Sequence, residues 1–143
     1  MPITINGSGT VTGISAGGLP DDCVTTADIA ANAVTTAKLG SNEQAGLAKA
    51  WVNFNGTGTV AIRSSYNVSS ITDNGVGDYT VNFTTAMADA NYAISGWCTA
   101  PASSLFFLTQ NPNTALAAGS ARIATGYPST IADPTIVCIS VFR

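Results

Sequence analysis

Asp78-Tyr79-Thr80-Val81-Asn82-Phe83 alternates polar and apolar side chains without a break. Successive side chains of a strand point to opposite faces. The hexapeptide therefore puts Tyr79, Val81 and Phe83 on one side and Asp78, Thr80 and Asn82 on the other, one face buried and one wet. Just upstream, Asp73-Asn74-Gly75 is a hairpin signal, because Asn-Gly readily supplies the positive φ of a tight turn. The same alternation runs through Ala50–Phe54, Thr59–Arg63 and Asn67–Ile71. It returns in Tyr92–Trp97, Leu105–Leu108, Ala121–Ala124 and Thr135–Val141, with Gly, Asn, Asp and Pro between the runs. Ile136 to Phe142 is nearly all apolar, as in a central strand covered on both faces. Met87 to Ala90 reads as a single helical turn. Short strands at such spacing indicate a sandwich or barrel. The expectation for residues 48–143 is an all-β, antiparallel β-sandwich knob of about seven to eight strands.

Residues 1–47 have a different texture. Ile3-Thr4-Ile5 and Thr10-Val11-Thr12-Gly13-Ile14 are two very short alternating segments around Gly7-Ser8-Gly9, and Gly17-Gly18-Leu19-Pro20 punctuates the chain. Val24-Thr25-Thr26-Ala27-Asp28-Ile29 then recurs ten residues later as Val34-Thr35-Thr36-Ala37-Lys38-Leu39. A unit this small offers two aliphatic side chains and cannot bury them alone. It gains order by packing on neighbouring repeats or on the same repeat in other chains. The threonines precede Ala-containing turns, as capping hydroxyls do, so short helices are expected there. Ser41-Asn42-Glu43-Gln44 suits another short helical turn ending near Gly46. The expected reading is an extended N-terminal shaft or foot (1–47) of an assembled, fibrous protein. Its subunit and anchoring contacts are Ile3, Ile5, Val11, Ile14, Leu19, Val24, Ile29, Val34 and Leu39.

Composition narrows the class. Only 9% of the 143 residues are charged, against 45% hydrophobic, with a net charge of −3. An ordinary domain carries about 25% charge. A surface so poor in charge is expected to be partly covered by other subunits. The cations Lys38, Lys49, Arg63, Arg122 and Arg143 are scattered, so no nucleic-acid partner is expected. No apolar run reaches the ~20 residues that cross a bilayer, so no membrane insertion is expected. Met1-Pro2-Ile3-Thr4-Ile5 has neither a basic nor a long apolar stretch, so no secretory signal is expected either. Cys23, Cys98 and Cys138 show no C-x-x-C spacing; buried thiols and a Cys98–Cys138 disulfide both stay open.

Chemistry is sparse. The chain has no His, which removes most acid–base and nucleophilic constellations and the usual zinc sites. A glycosidase needs two carboxylates about 5–9.5 Å apart. Asp73, Asp78, Asp89 and Asp133 are candidates, yet each reads first as a turn or capping residue. Asp21-Asp22 and Asp73 with Asp78 fall short of a complete calcium cage. No catalytic, metal or cofactor site is expected, and the chain reads as a non-enzyme. Trp51, Phe54, Tyr79, Phe83 and Tyr92 take packing roles by default. Adjacent Phe106 and Phe107 must face opposite ways in a strand, which makes Phe107 a candidate for a subunit interface or receptor surface. Tyr127, in a loop-like stretch, is a second candidate.

Ala48-Lys49-Ala50-Trp51-Val52-Asn53-Phe54-Asn55-Gly56-Thr57-Gly58-Thr59, Ser70-Ile71-Thr72-Asp73-Asn74-Gly75 and Gly77-Asp78-Tyr79-Thr80-Val81-Asn82-Phe83 together resemble the C-terminal modules of phage tail-fibre proteins, those of cyanophages and marine phages most of all. Met87-Ala88-Asp89-Ala90-Asn91-Tyr92-Ala93-Ile94 fits the same pattern. Gly13–Pro20 and the Val-Thr-Thr-Ala repeats are similar to the low-complexity shafts that precede such modules. The resemblance implies a homotrimeric structural protein of the virion, made in the host cytoplasm, with another virion protein as partner at the tail or baseplate. A short fibre presenting a knob for host contact is the expected role. A capsid-decorating trimer cementing the major capsid protein at three-fold positions is the alternative. A module binding a host surface glycan comes next, and a polysaccharide depolymerase last.

Overall fold

In the computed structural model, residues 25–99, 107–127 and 130–143 are described. The expected segments Ile3–Ile5 and Thr10–Ile14, the contacts Ile3, Ile5, Val11, Ile14, Leu19 and Val24, and also Cys23, Phe106, Asp21 and Asp22, lie outside them. The chain divides into two units at Leu39/Gly40.

Alternating side chains make the strands of the second unit. They are β1 (Ala48–Asn55), β2 (Ala61–Tyr66), β3 (Val68–Gly75), β4 (Asp78–Phe83), β5 (Ala93–Cys98), β6 (Phe107–Gln110), β7 (Ser120–Tyr127), β8 (Thr130–Ile131) and β9 (Val137–Phe142). Every pairing is antiparallel. One sheet runs β2-β1-β9-β5; the other runs β3-β4-β7-β6, with β8 also on β7. The fold is all-β, two antiparallel sheets in a sandwich-like architecture. Nine strands stand among the described residues where seven to eight were expected; β8 has two residues, too few to show a period.

The core is the meeting of the two inner faces. Ala50, Val52 and Phe54 of β1 and Val137, Ile139 and Val141 of β9 face Tyr79, Val81 and Phe83 of β4 and Ala121 and Ile123 of β7. Full burial of a large aliphatic or aromatic side chain contributes about 1.5–3 kcal/mol. Two edge-to-face ring pairs add directionality: Phe54 with Tyr79 at 5.2 Å and Phe83 with Tyr92 at 5.8 Å. Tyr79 donates its hydroxyl hydrogen toward Asp133 Oδ1 at 2.7 Å, with Gly56 O at 3.0 Å as a second acceptor.

The β3–β4 hairpin corrects one expectation. The turn is Val76-Gly77, not Asp73-Asn74-Gly75: Gly75 is already paired with Asp78. Gly77 adopts φ +64, the conformation that favours glycine. Asn74 falls where the register shifts between Asp73 and Gly75, and its amide reaches Thr80 Oγ1 at 2.9 Å. Residues 84–92 contain bends, so the expected helical turn at Met87–Ala90 is absent.

Before β1 stands a short helix, α1 (Ser41–Gly46), close to where it was expected. In the first unit the two repeats adopt one local geometry. Asp28 N donates to Thr25 O at 3.0 Å, and Lys38 N donates to Thr35 O at 2.9 Å. In the first repeat the Asp28 carboxylate also accepts from Thr25 N and Thr25 Oγ1, at 2.9 and 2.7 Å. Those bonds hold its pKa below the ordinary carboxylate value. The second repeat carries Lys38 at that place and forms a 3-10 turn over Thr36–Lys38.

Candidate functional site

The outer face of the four-stranded sheet follows from the period of β1. With Ala50, Val52 and Phe54 buried, Trp51 and Asn53 must point away from the core. Trp51 lies opposite Tyr66 of β2 on one side and Ser140 of β9 on the other. Trp97 of β5 lies opposite Cys138 of β9. Trp51, Tyr66 and Trp97 are 38%, 57% and 55% exposed. The two tryptophans are two strands apart and two residues out of step, which at usual strand spacings separates them by about 12 Å. Small polar side chains, Ser140, Ser95 and Asn53, fill the floor between the rings. Arg63 lies along this face, its guanidinium donating to Asn53 Oδ1 (3.3 Å), Asn55 Oδ1 (3.4 Å) and Thr135 O (2.7 Å).

At the end of this sheet, where β1 begins and β2 and β9 finish, a cavity of about 600 Å³ opens. Its lining includes Lys49, Tyr66, Asn67, Thr84, Thr85, Met87 and Arg143. Asn67 builds the wall. It adopts φ 55, which Asn tolerates better than most residues. Its amide nitrogen donates to Lys49 O and Thr85 O, both at 3.0 Å, and its amide oxygen accepts from Thr85 N at 2.7 Å. One side chain thus ties β1 to the segment after β4. Met87 is buried and supplies apolar surface. The Arg143 guanidinium is matched by the Asp89 carboxylate and also approaches Asn91 O at 3.4 Å. The Lys49 ammonium donates to Gln44 O and makes no ion pair among the described residues. Tyr66 joins the two features, since it lines the cavity and also faces Trp51 across the β1–β2 pair.

A second cavity, about 510 Å³, lies where β5 and β6 edge the two sheets, between Ile94 and Gly96 on one side and Leu108 and Leu116 on the other.

The acidic residues weighed for hydrolysis are each engaged. Asp78 receives both Nε and Nη2 of Arg122, at 2.8 and 2.6 Å, and this contact holds its carboxyl below the ordinary range. Asp89 pairs with Arg143. Asp73 accepts from Gly75 N at 2.9 Å, a turn bond. Asp133 accepts from Gly77 N at 2.6 Å as well as from Tyr79. Among the described residues no three His, Cys, Asp or Glu gather as metal ligands. Likewise, no helix among them is long and apolar enough to cross a membrane. Cys98 and Cys138 are free thiols. They sit on neighbouring strands but out of step: Cys98 is opposite Val137 and packs on the core, while Cys138 is opposite Trp97 on the outer face. Period-two alternation points them to opposite sides of the sheet, so they cannot bridge.

Of the contact residues expected from sequence, Ile29 and Val34 are exposed at 44% and 57%, and Leu39 is half-buried. Phe107 and Tyr127 are half-buried at one corner of the five-stranded sheet, where Phe107 pairs with Gly126 and Tyr127 with Thr130. The sequence reading gave Trp51 the same packing role as Phe54. Three residues apart on one strand, the two must face opposite ways, a signal that singles out Trp51 as the outward ring. Lys49, Tyr66 and Asn67 carried no such local signal.

No protein-family model matches this chain, and no curated protein or solved structure matches it either.

Proposed function

We propose that this protein is a non-enzymatic structural component of a phage particle, of the tail-fibre kind. It acts as a homotrimer: residues 1–47 wind together and attach to another virion protein, and the β knob is presented for host contact. The observation that carries this reading is the repeat. Its aliphatics Ile29 and Val34 are left open in the single chain, in a protein with so little charge that exposed apolar side chains are poorly screened by neighbours. Three copies brought together would bury them and multiply weak surface contacts. The carboxylates support a structural role too, since Asp78, Asp89 and Asp133 hold Arg122, Arg143 and the Tyr79 hydroxyl.

Sedimentation of the full chain tests the assembly. A particle of three times the 14.4 kDa chain mass is expected, and a monomer at micromolar concentration would overturn it. Ile29→Ser with Val34→Ser is expected to shift the trimer toward monomer while leaving the far-ultraviolet spectrum of the sheets unchanged. Electron cryomicroscopy of the intact particle tests the location. Density at the tail is expected; density at capsid three-fold positions would transfer the protein to a cementing role, and a particle lacking the chain would refute the virion assignment.

A further inference from the structure

We infer that the cavity beside β1, with Trp51 and Tyr66 as its shelf, is a binding site for an acidic sugar. This deepens the host-contact part of the proposed function by naming a site and a ligand class; it does not depend on the trimer. The argument rests on what converges there. A carbohydrate has an apolar C–H face and a rim of hydroxyls, so it needs aromatic rings beside hydrogen-bonding groups. Trp51 and Tyr66 are cross-strand neighbours, 38% and 57% exposed, and neighbours in that register have side chains in contact range. Beyond Tyr66 the wall turns polar, with the exposed Thr84 and Thr85 above buried Met87. A cleft with apolar lining and a few convergent polar groups is the usual form of a small-ligand site.

Charge sets the class of sugar. Of the two cations on the cavity, Arg143 is already matched by Asp89, whereas Lys49 makes no ion pair among the described residues. Lys49 thus brings to the cavity lining an ammonium that is held by Gln44 O and has no carboxylate partner among the described residues, in a chain whose net charge is −3. A carboxylate on the sugar would receive a charge-assisted hydrogen bond from the Lys49 ammonium. A protein partner fits less well. Interface cores are depleted in Lys, and here Tyr66, with Trp51 beside it on the next strand, borders a hollow with hydroxyl groups, a lysine and an ion pair.

The test is calorimetric titration of the full chain with three probes: uronic-acid oligomers from alginate, sialic-acid oligomers, and neutral malto-oligosaccharides. Saturable binding of at least one acidic probe is expected, at least about tenfold tighter than the neutral one and weakening as salt rises from about 50 to 500 mM. Lys49→Gln is expected to weaken it about tenfold, the usual share of a hydrogen bond to a charged group. Tyr66→Ala should weaken it several-fold, and Trp97→Ala, about 12 Å from the shelf, should leave it unchanged. Unaltered melting temperatures show that the variants remain folded. Equal affinity for neutral and acidic probes, an unchanged Lys49→Gln affinity, or no binding of either acidic probe would each overturn the inference. Binding by a chain that sediments as a monomer would uphold the site and refute the trimer, so the two failures are distinguishable.

Discussion

Tyr79 has one hydroxyl hydrogen and two acceptors within reach of it. The carboxylate of Asp133, at 2.7 Å, is nearer and charged, while Gly56 O is at 3.0 Å, so the hydrogen goes to Asp133. Burial first, and that carboxylate second, push the Tyr79 pKa far above the usual tyrosine value. Tyr79→Phe keeps the ring contact with Phe54 but leaves Asp133 with the Gly77 N–H as its remaining bond here. Guanidinium unfolding is expected to show a loss of about 1–3 kcal/mol with an unchanged denaturant slope. Gly77 is the other sensitive position in this corner. It sits at φ +64, and a Cβ there would lie 2.4 Å from Thr125 O and 2.7 Å from Ala132 N, both backbone atoms that cannot step aside. Gly77→Ala should therefore cost more than about 1 kcal/mol. Gly46→Ala, in α1 with open space around the position, should be neutral or slightly stabilising in the same assay. Neither Tyr79–Asp133 nor Gly77–Asp133 was legible in the sequence, because the partners are 54 and 56 residues apart.

Strands were legible wherever burial is one-sided. β1, β4 and β9 bury alternate residues, and a period of two in the chain is the direct imprint of that geometry. β7 keeps it only as far as Ile123, since Ala124, Thr125 and Gly126 are buried in succession. β2 and β3 are mostly exposed edge strands, where the pattern locates the segment but fixes its ends poorly. The hairpin was misplaced because Asn-Gly is read as a turn centre, whereas here Asn74 occupies an irregularity two residues before the Val76-Gly77 turn. At this scale the least visible device is the Asn67 clasp. Asn67 joins the start of β1 to the segment after β4 through three hydrogen bonds, from a left-handed backbone position at φ 55. Asn67→Ala loses the bonds and must hold Ala in that conformation, whereas Asn67→Gly loses only the bonds. Both should lower stability, with Ala worse than Gly by about 1 kcal/mol. Equal losses would show that the strain is relieved by local movement. The candidate site was illegible for a related reason: Lys49, Tyr66, Thr84 and Arg143 come together from separate elements, and none has a neighbour in sequence that announces it.

With five Lys and Arg and eight Asp and Glu in the whole chain, the pH dependence of stability rests on very few groups. On the acid side, Arg122 holds the Asp78 pKa below its ordinary value of 3.8. The folded form then prefers the ionised carboxylate, so the stabilisation is complete above the unfolded pKa and disappears as pH falls through the folded one. Asp78→Asn should lower stability at neutral pH and flatten the acid limb of a melting-temperature profile. On the alkaline side the sign reverses. Burial raises the Cys98 thiol to about 11 from 9.0, and the thiol donates toward Phe107 O at 3.4 Å. The folded form therefore prefers the neutral thiol. This contribution is complete below pH 9.0 and is lost as pH rises toward about 11. Cys98 faces the core while Cys138 faces outward, so Cys98→Ala should flatten the limb between those values more than Cys138→Ala does. A Cys98→Ala profile that declines as steeply as the parent above pH 9 would assign the alkaline loss to the buried hydroxyls of Tyr79 and Tyr92, whose pKa values are also raised.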